Sequence, residues 1–246
     1  MNPPVESPHR NPARVVGVAY LFAMATSMFG EAFVRGRLMV LGDAAQTAQN
    51  IIANATLFRI GIASEILTFT ADIALITALY TILAPVHRPL ALFATAIRLA
   101  AETSFVMMAA DSFDVLRILS GAPYLQAFDG AQLAALARVS LGAHNAAYGV
   151  GFVFLGFGST VFAWLWIKSG YVPRAMGVLG VIGSLLLTAG SFWILMVPGL
   201  GAFISPAYMV PLFFFEVGMG LLLVTKGLRT PAAHAGRVHA QVAAAS

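Results

Sequence analysis

Apolar positions gather into six long runs with few polar interruptions: Val15–Val34, Leu57–Leu83, Leu90–Ala110, His144–Ile167, Ala175–Val197 and Pro206–Val224. Each is close to the ~20 apolar residues that a helix needs to cross a hydrocarbon layer. The pattern predicts an all-α, polytopic membrane protein with six transmembrane helices. Arg10 and Arg14 precede the first run as they would a secretory leader. That run is long, lacks an A-x-A cleavage pattern and carries Glu31 near its end, so it reads as a retained helix.

The segments between the runs set the expected topology. With the N-terminus inside, Arg10, Arg14, Arg88, Lys168, Arg174, Lys226, Arg229 and Arg237 face the cytoplasm. Arg35, Arg37, Arg59, Arg117 and Arg138 fall outside, together with Asp43, Asp111, Asp114 and Asp129. The excess of inner cations predicts an N-in, C-in orientation. In the first outer loop, Asp43 is placed to cap a short interfacial helix over Ala44–Ala55. Asp129 with Gln132 resembles a capping box, although the box usually starts with Ser or Thr. A helix from Asp129 to Ile167 is ~57 Å long, beyond the ~30 Å hydrocarbon core, so it must project outward or break. Gly142 and Gly149 are the expected break points. The domain reading is a cytoplasmic N-terminal tail (1–13), a membrane domain (14–228) and a disordered cytoplasmic C-terminal tail (229–246).

Composition agrees with this class. Of 246 residues, 59% are hydrophobic and 10% charged, with a mean hydropathy of +0.85. Soluble domains carry roughly a quarter charged residues, so a water-soluble enzyme, a disordered chain and a coiled coil are excluded. With no cysteine, disulfides, thiolate nucleophiles, iron–sulfur clusters and cysteinyl zinc sites are excluded too. The net charge of +4 comes without a basic run interleaved with aromatics, so no nucleic-acid partner is expected. The lipid bilayer is the expected partner, with a lipophilic or small-molecule ligand and a homodimer as further expectations. Gly149, Gly151, Gly156 and Gly158 in the fourth run, and Gly177, Gly180 and Gly183 in the fifth, mark faces where helices approach closely. Gly149-Val150-Gly151 follows no strand, so it is no dinucleotide motif.

The candidate chemistry lies in ionisable residues within the runs. Burying a charge mid-bilayer costs roughly 3 kcal/mol or more, so such residues pair or line a wet cavity. They are Glu31, Glu65, Asp72, Arg98, Glu102, His144 and Glu216, with Asn145 and Tyr148 beside His144. Counting ~1.5 Å per residue puts Asp72, Arg98 and Glu216 near the midplane, Glu65 and Glu102 further out, and Glu31 and His144 near the outer boundary. A polar column from midplane to outer face is expected, held in a funnel. Arg98 shares a helix face with Glu102, as Glu65 does with Asp72. One guanidinium cannot neutralise Asp72, Glu102 and Glu216 together. Arg98 reads first as a structural ion-pair centre joining spans two, three and six. Glu31 with Arg35 reads as an i,i+4 surface pair, and His144 as a satisfied hydrogen-bonding residue or a proton carrier. Glu216, flanked by Phe213, Phe214 and Phe215, has no local partner. One histidine in the spans and no clustered ligand spacing speak against a metal site, no cofactor is expected, and no nucleophile elbow accompanies Ser104 or Ser140.

Several segments resemble one bacterial family. They are Gly30-Glu31-Ala32-Phe33-Val34-Arg35-Gly36, Gly42-Asp43-Ala44-Ala45, Phe58-Arg59 and Pro85-Val86-His87-Arg88-Pro89-Leu90-Ala91. Arg98 with Glu102, His144 through Tyr148 to Gly156, and Ser169-Gly170-Tyr171-Val172-Pro173-Arg174 extend the likeness. The chain is similar to an integral-membrane family known only as domain of unknown function 4386, over about Arg14 to Leu228. His87 stands where the family pattern has Asn, and Gly30 where it has Ala. The resemblance implies a multi-helix inner-membrane protein and no activity, with Glu31, Arg35, Arg59, Arg98, Glu102 and His144 in the family pattern.

Three functions compete. Proton-linked transport of a small solute fits carboxylates at midplane depth, although six helices without an inverted repeat would need a dimer. A membrane-embedded enzyme of isomerase or cyclase type would use a carboxylic acid, Glu216 with Asp72 or Glu102, on a lipophilic substrate. A sensor or assembly subunit would use the ion pairs only as structure.

Overall fold

The computed structural model describes residues 10–197 and 206–229, and helices follow the apolar runs. Helix α1 (Arg10–Ser27) continues through a π-helix (Met28–Arg35) and one short turn (Gly36–Leu38). Then come α2 (Ala44–Ala53), α3 (Ala55–Ile118), α4 (Gly130–Ser169), α5 (Arg174–Met196) and α6 (Val210–Thr225). Two 3-10 turns, Pro123–Ala127 and Pro206–Met209, precede α4 and α6. Among the described residues there is no strand, and five helical stretches are long and apolar enough to cross a membrane.

Helix α3 is two rods. His87 leaves helical geometry at φ −161° and ψ 91°, between Pro85 and Pro89. Proline removes a backbone donor and clashes with the preceding turn, which breaks the helix there. Phe69 and Phe105 then stack at 5.7 Å, though a straight helix would hold them ~54 Å apart. The arms 55–86 and 88–118 are therefore antiparallel, and the second and third apolar runs form a helical hairpin.

The sequence expectation of a break in α4 is overturned. The helix runs unbroken through Gly142 and Gly149. Its first turns, where Ala134, Ala137 and Leu141 are buried, pack beside α2. That protein cover makes a bend unnecessary. Asp129 accepts from the Gln132 N–H at 2.8 Å and Gln132 accepts from the Asp129 N–H at 2.9 Å, so an Asp-led capping box closes its start. Asp43 caps α2 in the expected way, accepting from the Gln46 N–H at 2.8 Å. Within α2, Ile51 is buried and Ile52 exposed, so this helix lies against the protein with one isoleucine only. Helix α1 already starts at Arg10, within the expected N-terminal tail of 1–13, and Ala13 is buried; residues 1–9 and 230–246 lie outside the described residues.

The polarity of the bundle is inverted relative to a soluble protein. Leu67, Phe93, Val106, Met107 and Phe214 point outward. Arg98, Glu102, Glu65 and His144 are buried. An apolar exterior suits lipid, and the ionisable groups are left to satisfy one another inside.

Candidate functional site

Two polar groups form where distant segments meet. The first surrounds Arg98 on the second arm of α3. A Cβ on Gly158 of α4 would lie 2.7 Å from Arg98 Cγ, so only glycine lets the arginine stem pass between these helices. Beyond it, Arg98 Nη1 donates to Ser159 Oγ at 2.8 Å. Its Nη2 lies 3.7 Å from Asp72 Oδ1 on the opposite arm and 4.0 Å from Glu102 Oε1. The arginine thus ties the α3 hairpin to α4.

The expected link from Arg98 to span six is not a direct one. Glu216 on α6 makes no ion pair among the described residues; Ser159 on α4 takes that place. Helix α6 brings Glu216 to a cavity wall instead of to the guanidinium.

The second group forms around the π-helix. There the Gly36 N–H donates to the Glu31 carbonyl, closing a five-residue turn. Such wide turns are rare and frequent at functional sites. A Cβ on Gly30 would lie 2.9 Å from Ser64 Oγ and 3.3 Å from Glu65 Cγ, so the missing side chain seats this segment against α3. Glu31 Oε2 lies 3.4 Å from Arg35 Nε, and Glu31 Oε1 lies 3.4 Å from His144 Nε2. Arg35 Nη2 donates to Asn145 Oδ1 at 3.2 Å. The expected pair of Glu31 and Arg35 is therefore formed, but α4 covers the arginine, which is 8% exposed, while a quarter of the Glu31 side chain stays accessible. Tyr148, one turn beyond His144, lies with its ring 4.2 Å from that of Phe152 and 6.0 Å from that of Phe105, tilted against both.

A cavity of about 200 Å³ lies beside both groups. Glu31 and Glu65 reach it from the second group, Asp72 and Glu216 from the level of Arg98. Its remaining wall is largely aromatic and aliphatic, with Tyr20, Phe69, Phe105, Phe152 and Phe213 among the lining side chains. Arg98, Glu102, His144 and Asn145 stand behind that wall. Along this cavity the polar side chains cluster in two groups. Glu65 joins the one around Glu31, and Glu102 the one around Arg98.

Folding also reverses one argument about metals. Ligand atoms of Glu31, Glu65 and His144 lie within 4.8 Å of one another. No linear spacing could announce this, since the three residues sit on three separate helical segments. Ser112 and Ser159 join the two groups without having been expected there, whereas Arg35 was expected as the partner of Glu31. Only Arg35, four residues from Glu31, carried a local signal. Charge is unbalanced across the two groups. Among the described residues, the five carboxyl groups of Glu31, Glu65, Asp72, Glu102 and Glu216 have two arginines in their midst, Arg35 and Arg98, with His144 beside Glu31.

Compared with known proteins, residues 15–227 match a family described as a domain of unknown function, DUF4386. No curated protein and no solved structure matches the chain.

Proposed function

The chain belongs to the DUF4386 family, whose function is unknown, and we propose that it is a proton-linked carrier of small organic cations. The observation that carries this reading is the cavity of about 200 Å³ with four carboxyl groups on an otherwise largely apolar wall. Pockets of that kind bind an apolar body and orient it by a few convergent polar groups. Aromatic faces at the wall add cation–π attraction for an ammonium group. The deficit of positive charge can be met by protons or by a cationic solute, and exchange between the two couples their movements. Asp72 and Glu216 are the exchanging groups in this reading, while Arg98 holds Asp72 in position. The family resemblance and the cation distribution support a bacterial cytoplasmic membrane with both termini inside. That orientation directs the end holding Glu31 and His144 outward.

Proteoliposomes carrying a trapped pH dye test the reading. Adding tetraethylammonium to the wild type moves protons, and Glu216→Gln abolishes the movement while the protein remains folded. A wild type that moves no protons with tetraethylammonium contradicts it.

The aromatic lining supports a second reading, an embedded enzyme that uses Glu216 as an acid on a lipophilic substrate. Native mass spectrometry in mild detergent separates the two. A carrier arrives empty, whereas the enzyme retains a specific lipophilic molecule at near-unit occupancy.

A further inference from the structure

His144 is held from behind in a way that leaves its front nitrogen without a partner. Its Nδ1 lies 2.9 Å from Ser112 Oγ and 3.1 Å from the Met108 carbonyl oxygen. A carbonyl can only accept, which favours the tautomer with the proton on Nδ1. In the neutral ring Nε2 is then a bare lone pair. That lone pair faces Glu31 Oε1 at 3.4 Å, a repulsive arrangement that positive charge between the two atoms, from a second ring proton or a cation, turns into a favourable one.

The neighbouring atoms repeat the pattern. Glu31 Oε1, Glu65 Oε2 and His144 Nε2 are all buried and have no hydrogen-bond partner. His144 is 0% exposed and Glu65 4%. Glu31 gives its other oxygen to Arg35, so Oε1 remains free for a ligand. Buried polar atoms without partners cost free energy, and here three of them converge from three helical segments.

We propose that Glu31, Glu65 and His144 bind a divalent transition-metal ion at the outer end of the cavity. Zinc sits about 2.0–2.2 Å from imidazole and carboxylate ligands, which puts tetrahedral ligand atoms roughly 3.3–3.5 Å apart. The His144–Glu31 separation of 3.4 Å already matches. The three ligand atoms lie within 4.8 Å of one another, so closing by roughly an ångström brings all three to that spacing. The imidazole nitrogen selects a transition metal over magnesium or calcium. Ser112 and Met108 orient the ring from behind, as carbonyls and hydroxyls do for metal-bound histidines. Three protein ligands leave one position open toward the cavity that Glu31 and Glu65 line, and water completes the shell. Two carboxylates, one guanidinium and a neutral imidazole carry one net negative charge, which the ion more than offsets.

This inference does not rest on the carrier reading, and its test needs no transport. Full-length protein is purified in detergent, stripped with chelator and titrated calorimetrically with zinc chloride. The expected result is one zinc ion per chain, and His144→Gln and Glu65→Gln each weaken binding by about a hundredfold or more. Ser112→Ala weakens it by about tenfold, as expected for a partner behind the ligand. Asp72→Asn, in the other polar group, binds as wild type does. The His234→Ala/His239→Ala variant, which removes the histidines near the C-terminus, also keeps its zinc. Wild-type protein that takes no zinc overturns the proposal and leaves a second ring proton as the source of the missing charge. Retention of full affinity in Glu65→Gln, or its loss with His234 and His239, overturns it as well. Should His144→Gln fail to fold, Glu65→Gln and the absorption bands of the cobalt-loaded wild type decide the question.

Discussion

Arg98 and Asp72 come from opposite arms of one helical hairpin and meet with Nη2 and Oδ1 3.7 Å apart. Ser159 on α4 takes the other end of the guanidinium at 2.8 Å. A single buried cation therefore joins three rods, and its removal strands two carboxylates. Arg98→Ala is expected to destabilise the protein by about 3–5 kcal/mol, the usual cost of leaving a buried charge unpaired. Unfolding monitored by circular dichroism in detergent measures the loss. Adding Asp72→Asn and Glu102→Gln to the Arg98→Ala protein is expected to recover most of it, because neither remaining group then needs a counter-charge.

Gly158 makes that arrangement sterically feasible. A methyl group there would meet Arg98 Cγ at 2.7 Å, and overpacking of this kind costs about 1–3 kcal/mol. Gly158→Ala is expected to lower stability by that amount in the wild type and by much less in the Arg98→Ala background. A double-mutant cycle reads the difference. Additive costs would mean that Gly158 serves helix packing in general and not the arginine.

The start of α4 makes a smaller, local contribution. Asp129→Ala removes one side-chain acceptor of the capping box and is expected to cost about 1 kcal/mol. The same unfolding measurement checks it, with a Gln132→Ala variant breaking the reciprocal bond.

The π-helix determines which way Glu31 points. Deleting the exposed Ala32 turns a five-residue closure into a four-residue one and rotates Glu31 by about 100° relative to Val34 and Arg35. The shortened protein is expected to fold and to lose proton movement with tetraethylammonium at least tenfold. Proteoliposomes with the trapped dye measure it, and unchanged movement would show that the wide turn has no bearing on the site.

What the sequence could and could not convey follows from the range of each signal. Apolar runs of ~20 residues are local, so the helices were legible, as were the caps at Asp43 and Asp129, three residues from their partners. The i,i+4 relations of Arg98 with Glu102 and Glu31 with Arg35 were also legible. Their burial was not, because it depends on which helix packs above them. Depth places Glu65 in the polar column, but its proximity to Glu31 and His144 was not legible, since lateral placement around a bundle leaves no trace in linear spacing. The expected break at Gly142 or Gly149 came from length alone and took no account of α2 as cover. Neither the π-helix nor Ser159 had any signal at their own positions.

The most direct test of the carrier account is uptake of tetraethylammonium into proteoliposomes under an imposed pH gradient, acidic inside. Wild-type protein is expected to accumulate the cation above equilibrium, to release it when a protonophore collapses the gradient, and to lose accumulation in Asp72→Asn and in Glu216→Gln. Accumulation that is indifferent to the gradient, or equal in the wild type and both neutral variants, would contradict the account.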